Sequence, residues 1–219
     1  MSQVKDLTHP LSESDLKSAC QQLQEPGQVM LAHFEGRFIL VGRAYDPHAA
    51  RSINEIKGRS SGRPLVMCFH DLKLIERAQL SSPLLSLLPP FQERITLSVP
   101  APPNLPSAAH SGVGMVGVRY IQEGLLGQLL SALDEPLLIS SANPTGRPAA
   151  RHWEDLEAYE LDTLALIGDR PSDEEPSTLK RATVVGLANS ALQVLSPGDT
   201  SLSEIKRAWA SLKLNGDIW

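Results

Sequence analysis

A mixed-sheet α/β domain is the fold class predicted from the sequence, and three observations predict it. Leu65-Val66-Met67-Cys68-Phe69 and Leu137-Leu138-Ile139 are continuous apolar runs of strand length, as expected of strands covered on both faces. Expected strands outnumber expected helices, and hairpin spacings mix with helix-bearing crossovers. The chain has 219 residues, 42% of them hydrophobic, enough to bury a core as one large domain or two small ones.

Taken in order, Ser12 to Gln24 reads as a helix capped by Ser12 or Ser14, with Leu16, Ala19, Cys20 and Leu23 on one face and Pro26-Gly27 as its stop. Val29–Ala32 and Phe38–Val41, separated by Glu35-Gly36-Arg37, carry a hairpin signal. A second helix spans about Pro47 to Lys57, with Ala50, Ile53 and Ile56 inward. Leu65–Phe69 is the expected central strand, Leu72–Ala78 a helix and Leu84–Leu88 a short turn. Ile95–Val99 alternates and predicts a strand. The proline-dense stretch Pro100–Pro106 reads as an extended surface loop within one domain. Val113–Val118 is an expected strand, Glu123–Leu133 a helix, and Leu137–Ser140 a buried strand entering the polar loop Ser141-Ala142-Asn143-Pro144-Thr145-Gly146. A helix near Trp153–Tyr159, strands over Thr163–Ile167, Thr183–Leu187 and Leu192–Leu195, and a helix over Leu202–Leu212 complete the pattern.

The formal net charge is -5 and the charged fraction 21%, which disfavours wholesale disorder and a life on phosphate-backbone contacts. Met1–Asp6 is polar and lacks the apolar core of a signal peptide, and no apolar run has the length of a membrane span. Cys20 and Cys68 are far apart and in no paired motif, so reduced thiols and a cytoplasmic location are expected.

The segment Ile56-Lys57-Gly58-Arg59-Ser60-Ser61-Gly62-Arg63-Pro64 concentrates cations, hydroxyls and glycines between a helix and a buried strand. Such a loop can hold an anion, because glycine lets the backbone approach and cations neutralise phosphate oxygens. Taken alone, a helix stop at Gly58 with cations complementing the macrodipole is the favoured account. Gly58–Gly62 matches the nucleophile-elbow spacing, but with helix and strand in the wrong order. Gly112–Gly117 matches the dinucleotide fingerprint, but a strand runs through it where a helix should open. Glycine in a strand that admits a close neighbour is the better account. The six histidines show no metal-ligand spacing, and Asp173-Glu174-Glu175 reads as a solvated loop, so no metal site is assigned.

Lys57/Arg59, Arg119, Ser140-Ser141-Ala142-Asn143 and Pro176-Ser177-Thr178 all fall at strand ends or loop starts, where α/β sheets bind ligands. In this order they resemble the YrdC-like family of threonylcarbamoyl-AMP synthases, over roughly Gly27 to Gly198. Lys57 and Arg59 match the family's Lys-any-Arg element. Leu88-Pro89-Pro90 with Ile95-Thr96-Leu97 echoes its Pro-Gly-Pro-like segment and Thr-Leu strand. Gly117-Val118-Arg119 matches its Gly-Val-Arg strand, Ser141–Gly146 its Ser-Ala-Asn-any-Ser-Gly loop, and Pro176-Ser177-Thr178 its Pro-Ser-Thr element.

The resemblance implies a single YrdC-like domain over 1–219, with a twisted mixed sheet, flanking helices and a concave cationic cavity. It implies that the carbamate of L-threonine or another amine, formed with bicarbonate, attacks the α-phosphate of ATP and expels pyrophosphate, usually with Mg²⁺. The product would serve tRNA threonylcarbamoyladenosine formation, with tRNA-modification proteins or tRNA as partners. On this basis Lys57 and Arg59 bind phosphates and support catalysis, Ser141 and Asn143 bind the nucleotide, and Arg119, Ala142 and Ser177 bind the amino acid. The stretch corresponding to the family's Pro-Thr-acid-Thr-Val-Tyr-Gly-Leu segment is Ala32–Gly42, in which no register restores either threonine or the tyrosine, and the family's Arg-Pro-Gly becomes Ser196-Pro197-Gly198. Losing hydroxyls aimed at a substrate changes discrimination strongly. A changed amine, a nucleotide- or RNA-binding relative without turnover, and a carbamoylating enzyme of small-molecule biosynthesis therefore stay open. Lys57 and Arg59 are expected to face solvent, so that truncating either weakens nucleotide binding and costs little stability.

Overall fold

The Ser12 hydroxyl accepts a hydrogen bond from the Asp15 amide and starts helix α1, Glu13–Gln24. A computed structural model describes residues 11–59, 63–168, 180–189 and 191–215. Strands β1, Met30–Phe34, and β2, Arg37–Arg43, form the expected hairpin around a two-residue turn, Glu35-Gly36, both with positive φ, 53° and 78°. Asp46 caps α2, Pro47–Ile56. There follow β3, Val66–Phe69; α3, Leu72–Arg77; a 3₁₀ turn over Pro83–Leu87 running into α4, Leu88–Phe91; and β4, Ile95–Pro100. Next come β5, Met115–Tyr120; α5, Gly124–Leu133; β6, Leu137–Ser141; and α6, Trp153–Ala158. The chain ends in β7, Leu166–Ile167; β8, Thr183–Ala188; β9, Ala191–Ser196; and α7, Leu202–Asn215.

Two expected strands shorten. β5 starts at Met115 because Ser111–Gly114 turns instead: Gly114 donates to the Ser111 carbonyl with φ 72°, and Val113 is 85% exposed. β7 keeps only two of the five expected residues, pairing in parallel with Leu31 and Ala32. The strand through Gly117 runs on to Tyr120, so the glycine-rich run is no dinucleotide fingerprint.

The strands form one mixed sheet, in the order β7-β1-β2-β6-β3-β5-β4-β8-β9. β3, expected to be central, is fifth of the nine. Successive side chains of a strand point to opposite faces. Phe38, Leu40, Met67, Phe69 and Leu138 accordingly enter one core, with Ile53 of α2, Leu74 of α3 and Trp209 of α7. Ile39, Val41, Cys68, Leu137 and Ile139 enter the other, with Leu23 of α1 and Leu126, Leu129 and Leu130 of α5. Both faces of the central strands are thus covered, as their unbroken hydrophobicity requires. Among the described residues no helix is long and apolar enough to cross a membrane.

Register carries the second face beyond α1 and α5. Ile39 pairs with Ser141, Val66 with both Ile139 and Gly117, and Gly117 with Ser98, so these side chains share a face. There Ile39, Val66, Thr96, Arg119, Ile139 and Ser141 line a cavity of about 280 Å³. Gly117 sits between two of these lining residues, where an added Cβ would meet Val66 Cγ2 at 3.1 Å and Thr96 Cγ2 at 3.2 Å.

Candidate functional site

Gly58 ends α2 with φ 59°, as a helix stop should, yet the flanking cations turn inward. Lys57 is only 4% exposed, which corrects the expectation of a solvent-facing lysine. The loop after β6 wraps the helix end. Lys57 Nζ donates to the Ser141 carbonyl at 2.6 Å, the Asn143 carbonyl at 3.0 Å and Asn143 Oδ1 at 3.0 Å, with Ser141 Oγ at 3.4 Å. The Thr145 amide donates to the Lys57 carbonyl at 2.9 Å. An ammonium has three protons, so these oxygens saturate it. Burial first, and then repulsion from Arg59 and Arg63, pushes the Lys57 pKa down to about 8, which still leaves it cationic at neutral pH.

Arg59 follows with its Nε donating to Asn54 Oδ1 at 2.9 Å. Asn54 is fixed in turn by its amide, which donates to the Ala50 and Ala108 carbonyls. Arg59 Nη2 and Thr145 Oγ1 are buried without a partner among the described residues. Burial, then Arg63, lowers the Arg59 pKa. No carboxylate among the described residues pairs with Lys57, Arg59 or Arg63. Buried donors left open and cations left uncompensated are costly unless an anion completes them.

Ser141 joins this cluster to the cavity, for it both touches Lys57 and lines the hollow. Arg37, Arg119 and Arg181 line the cavity, and so does Glu35. Arg119, 5% exposed, is chelated by Glu35: Nη1 donates to Oε2 at 3.0 Å and Nη2 to Oε1 at 2.5 Å. Nη2 also donates to the Glu93 carbonyl, and the Phe34 ring lies 5.2 Å from Cζ. Burial would lower the Arg119 pKa, but the Glu35 hydrogen bonds and charge raise it overall. Burial holds Arg37 below its ordinary value; Glu35 opposes that shift, and Arg119 and Arg181 reinforce it.

The remaining wall is two laced segments. Arg181 and Asp199 exchange hydrogen bonds, Asp199 N to the Arg181 carbonyl at 2.8 Å and Arg181 N to Asp199 Oδ2 at 2.9 Å. Thr183 and Thr200 do the same one step further on. Gly198 sits between them, where a Cβ would overlap the Arg181 carbonyl oxygen and lie 2.6 Å from Thr183 N. Gly198→Ala must therefore part the wall, and a loss of about 2 kcal/mol is expected. A urea unfolding series checks it; an unchanged midpoint would mean the segments slide apart freely.

Of the residues assigned from sequence, Lys57, Ser141 and Asn143 come together directly, Arg59 lies beside Lys57, and Arg119 shares the cavity lining with Ser141. Ala142 is fully buried, its amide donating to the Phe38 carbonyl and its carbonyl accepting from Ala150, so its backbone is spent in the fold. Ser177 and the Asp173–Glu175 run lie outside the described residues. Glu35, Arg37 and Arg181 were not singled out as binding residues; Glu35 read as hairpin spacer, and nothing local in the sequence marks its reach to Arg119. Among the described residues no three His, Cys, Asp or Glu side chains gather as a metal site.

A twisted mixed sheet with flanking helices and a polar hollow on one face defines an α/β protein whose cavity is floored by strands. The order of its motifs has a family-level counterpart. The chain belongs to the Sua5/YciO/YrdC family, whose model, described as telomere recombination, matches residues 22–198. It is 27% identical over 211 residues to the threonylcarbamoyl-AMP synthase of Bacillus subtilis, covering 92% of this chain and 59% of that one. Pyrococcus abyssi Sua5 complexed with L-threonine has the same fold, with a TM-score of 0.78 at 23% identity over 90% of this chain and 58% of that one. Escherichia coli YciO does too, with a TM-score of 0.72 at 16% identity, 88% of this chain and 93% of that one. The chain spans about three-fifths of the length of the curated relatives it matches.

Proposed function

We propose that the protein binds ATP beside Lys57 and Arg59 and forms a carbamoyl-adenylate in the adjoining cavity. One observation carries the reading: three cations, Lys57, Arg59 and Arg63, meet without a carboxylate partner among the described residues, joined through Ser141 to the cavity. The open Arg59 Nη2 and Thr145 Oγ1 fit a polyanion with acceptor and donor sites to spare. In this reading bicarbonate and an amine give a carbamate and water. A carbamate oxygen then attacks the α-phosphate, and pyrophosphate leaves. Lys57 and Arg59 neutralise charge on the phosphates, Ser141 and Asn143 hold the nucleotide-side loop, and the cavity orients the amine. L-threonine, bound by the Pyrococcus relative, is the reference amine, and tRNA threonylcarbamoyladenosine formation the reference pathway. Mg²⁺ would travel on the triphosphate; the described residues offer no carboxylate cage, and no step is derived through it.

The test is pyrophosphate release with ATP, bicarbonate and a panel of amino acids, amino alcohols and simple amines. Release with none of them, by folded protein, would sink the catalytic reading. The engaged Arg119 favours a second reading, nucleotide binding without turnover, and calorimetry with ATP and with tRNA separates the two. Arg59→Ala is expected to weaken ATP binding about tenfold, since a hydrogen bond to a charged group is lost. Its stability should change by less than about 1 kcal/mol, because the change also removes an unpaired buried donor. Calorimetry and urea unfolding of the same variant read the two effects separately.

A further inference from the structure

Arg119 is the cation in the cavity floor, and a carboxylate of this chain already occupies both prongs of its guanidinium fork. Glu35 achieves this from an unusual backbone. It is the first residue of the β1–β2 turn, at φ 53°, where glycine, asparagine and aspartate are the ordinary occupants. The Glu35 carbonyl also accepts from the Lys180 amide at 3.2 Å, which fastens the turn to the opposite wall. Arg37 stands 3.6 Å from the same carboxylate. The cavity's remaining cations, Arg37 and Arg181, therefore lie beside Glu35 and on the wall that carries Asp199, while the floor is neutralised from within. A ligand carboxylate brought to Arg119 would find both terminal nitrogens taken and only Nε open, and would meet a like charge.

We propose that Glu35 is a specificity-determining residue: its carboxylate fills the anion seat made by Arg119, so the cavity takes an amine whose inner end carries no carboxylate, such as an amino alcohol. This rests on the reading of the cavity as the amine site. It predicts that an added carboxylate can replace Glu35 once that side chain is removed.

The test follows thermal unfolding of the full chain as wild type, Glu35→Ala and Glu35→Gly, in sodium acetate against sodium chloride at matched ionic strength. The wild-type midpoint should not distinguish the salts, whereas both variants should rise by roughly 3 °C or more in acetate. The glycine variant suits the positive φ of the turn and carries the test if the alanine variant does not fold. Equilibrium dialysis of the wild type should show L-threoninol bound at least about tenfold more tightly than L-threonine, a ratio expected when a site refuses a charge. A wild type that responds to acetate as the variants do, variants that do not respond, or no advantage for L-threoninol overturns the proposal. The acetate response needs neither nucleotide nor turnover. Silence in the pyrophosphate assay with a positive acetate response would remove the catalytic reading and leave the seat of Glu35 standing; the converse pattern would do the opposite.

Discussion

Glu35→Ala is expected to destabilise the fold by about 3–5 kcal/mol, the range for stripping the partner from a buried charge. Arg119 is 5% exposed and its guanidinium would keep only the Glu93 carbonyl, with Nε already unpaired. The loss arises mainly from the charge left behind, so removing that charge as well should help. Glu35→Ala/Arg119→Met is expected to recover at least about 1 kcal/mol relative to Glu35→Ala, a coupling that double-mutant cycles resolve. Urea unfolding of the two single variants and the double variant measures it. Simple additivity would show that the pair is not coupled in solution.

Lys57→Met should lower stability by about 3 kcal/mol and weaken ATP binding at least about tenfold. The Ser141 carbonyl, the Asn143 carbonyl and Asn143 Oδ1 would lose their shared donor in a place with little access for water. This reverses the expectation for a solvent-facing lysine, and it separates Lys57 from Arg59, whose loss should touch binding and spare the fold. The effect also depends on pH. The folded pKa of Lys57 is near 8, against an ordinary value of 10.5, so between those values the unfolded chain keeps a proton that the folded chain has released. Stability from this group therefore rises with pH across that window and is flat below it. The gap between wild type and Lys57→Met should widen from pH 8 towards pH 10, as unfolding series at fixed ionic strength would show. A gap that narrows would place the Lys57 pKa above its ordinary value.

Local patterns carried much of the fold because they describe short-range constraints. Leu65–Phe69 is apolar on successive residues, which only a strand covered on both faces tolerates, and β3 lies at the middle of the sheet. Pro47 at the first turn and Gly58 beyond the end marked α2 within a residue or two. Strand limits were less legible. Met115–Tyr120 begins late because Ser111 and Gly114 close a turn, and β7 is short because only Leu31 and Ala32 pair with it.

The candidate site divides in the same way. Lys57, Arg59, Arg119, Ser141 and Asn143 were nameable from sequence because family motifs preserve residue type and order. Their neighbours were not. Lys57 meets Asn143 across 86 positions and Arg119 meets Glu35 across 84, contacts that exist only once β2, β6, β3 and β5 lie side by side.

Sequence alone was enough for the α/β class, the succession of strands and helices and the motif residues, since periodicity, caps and turn residues act within a few positions of the chain. The environment of each cation was settled by tertiary packing. Burial and four oxygens turned Lys57 from a surface charge into the pin of the Ser141–Asn143 loop, and a hairpin turn delivered Glu35 to Arg119. Charge in a protein is governed by what surrounds it in space, and sheet register brought those surroundings together from distant parts of the chain.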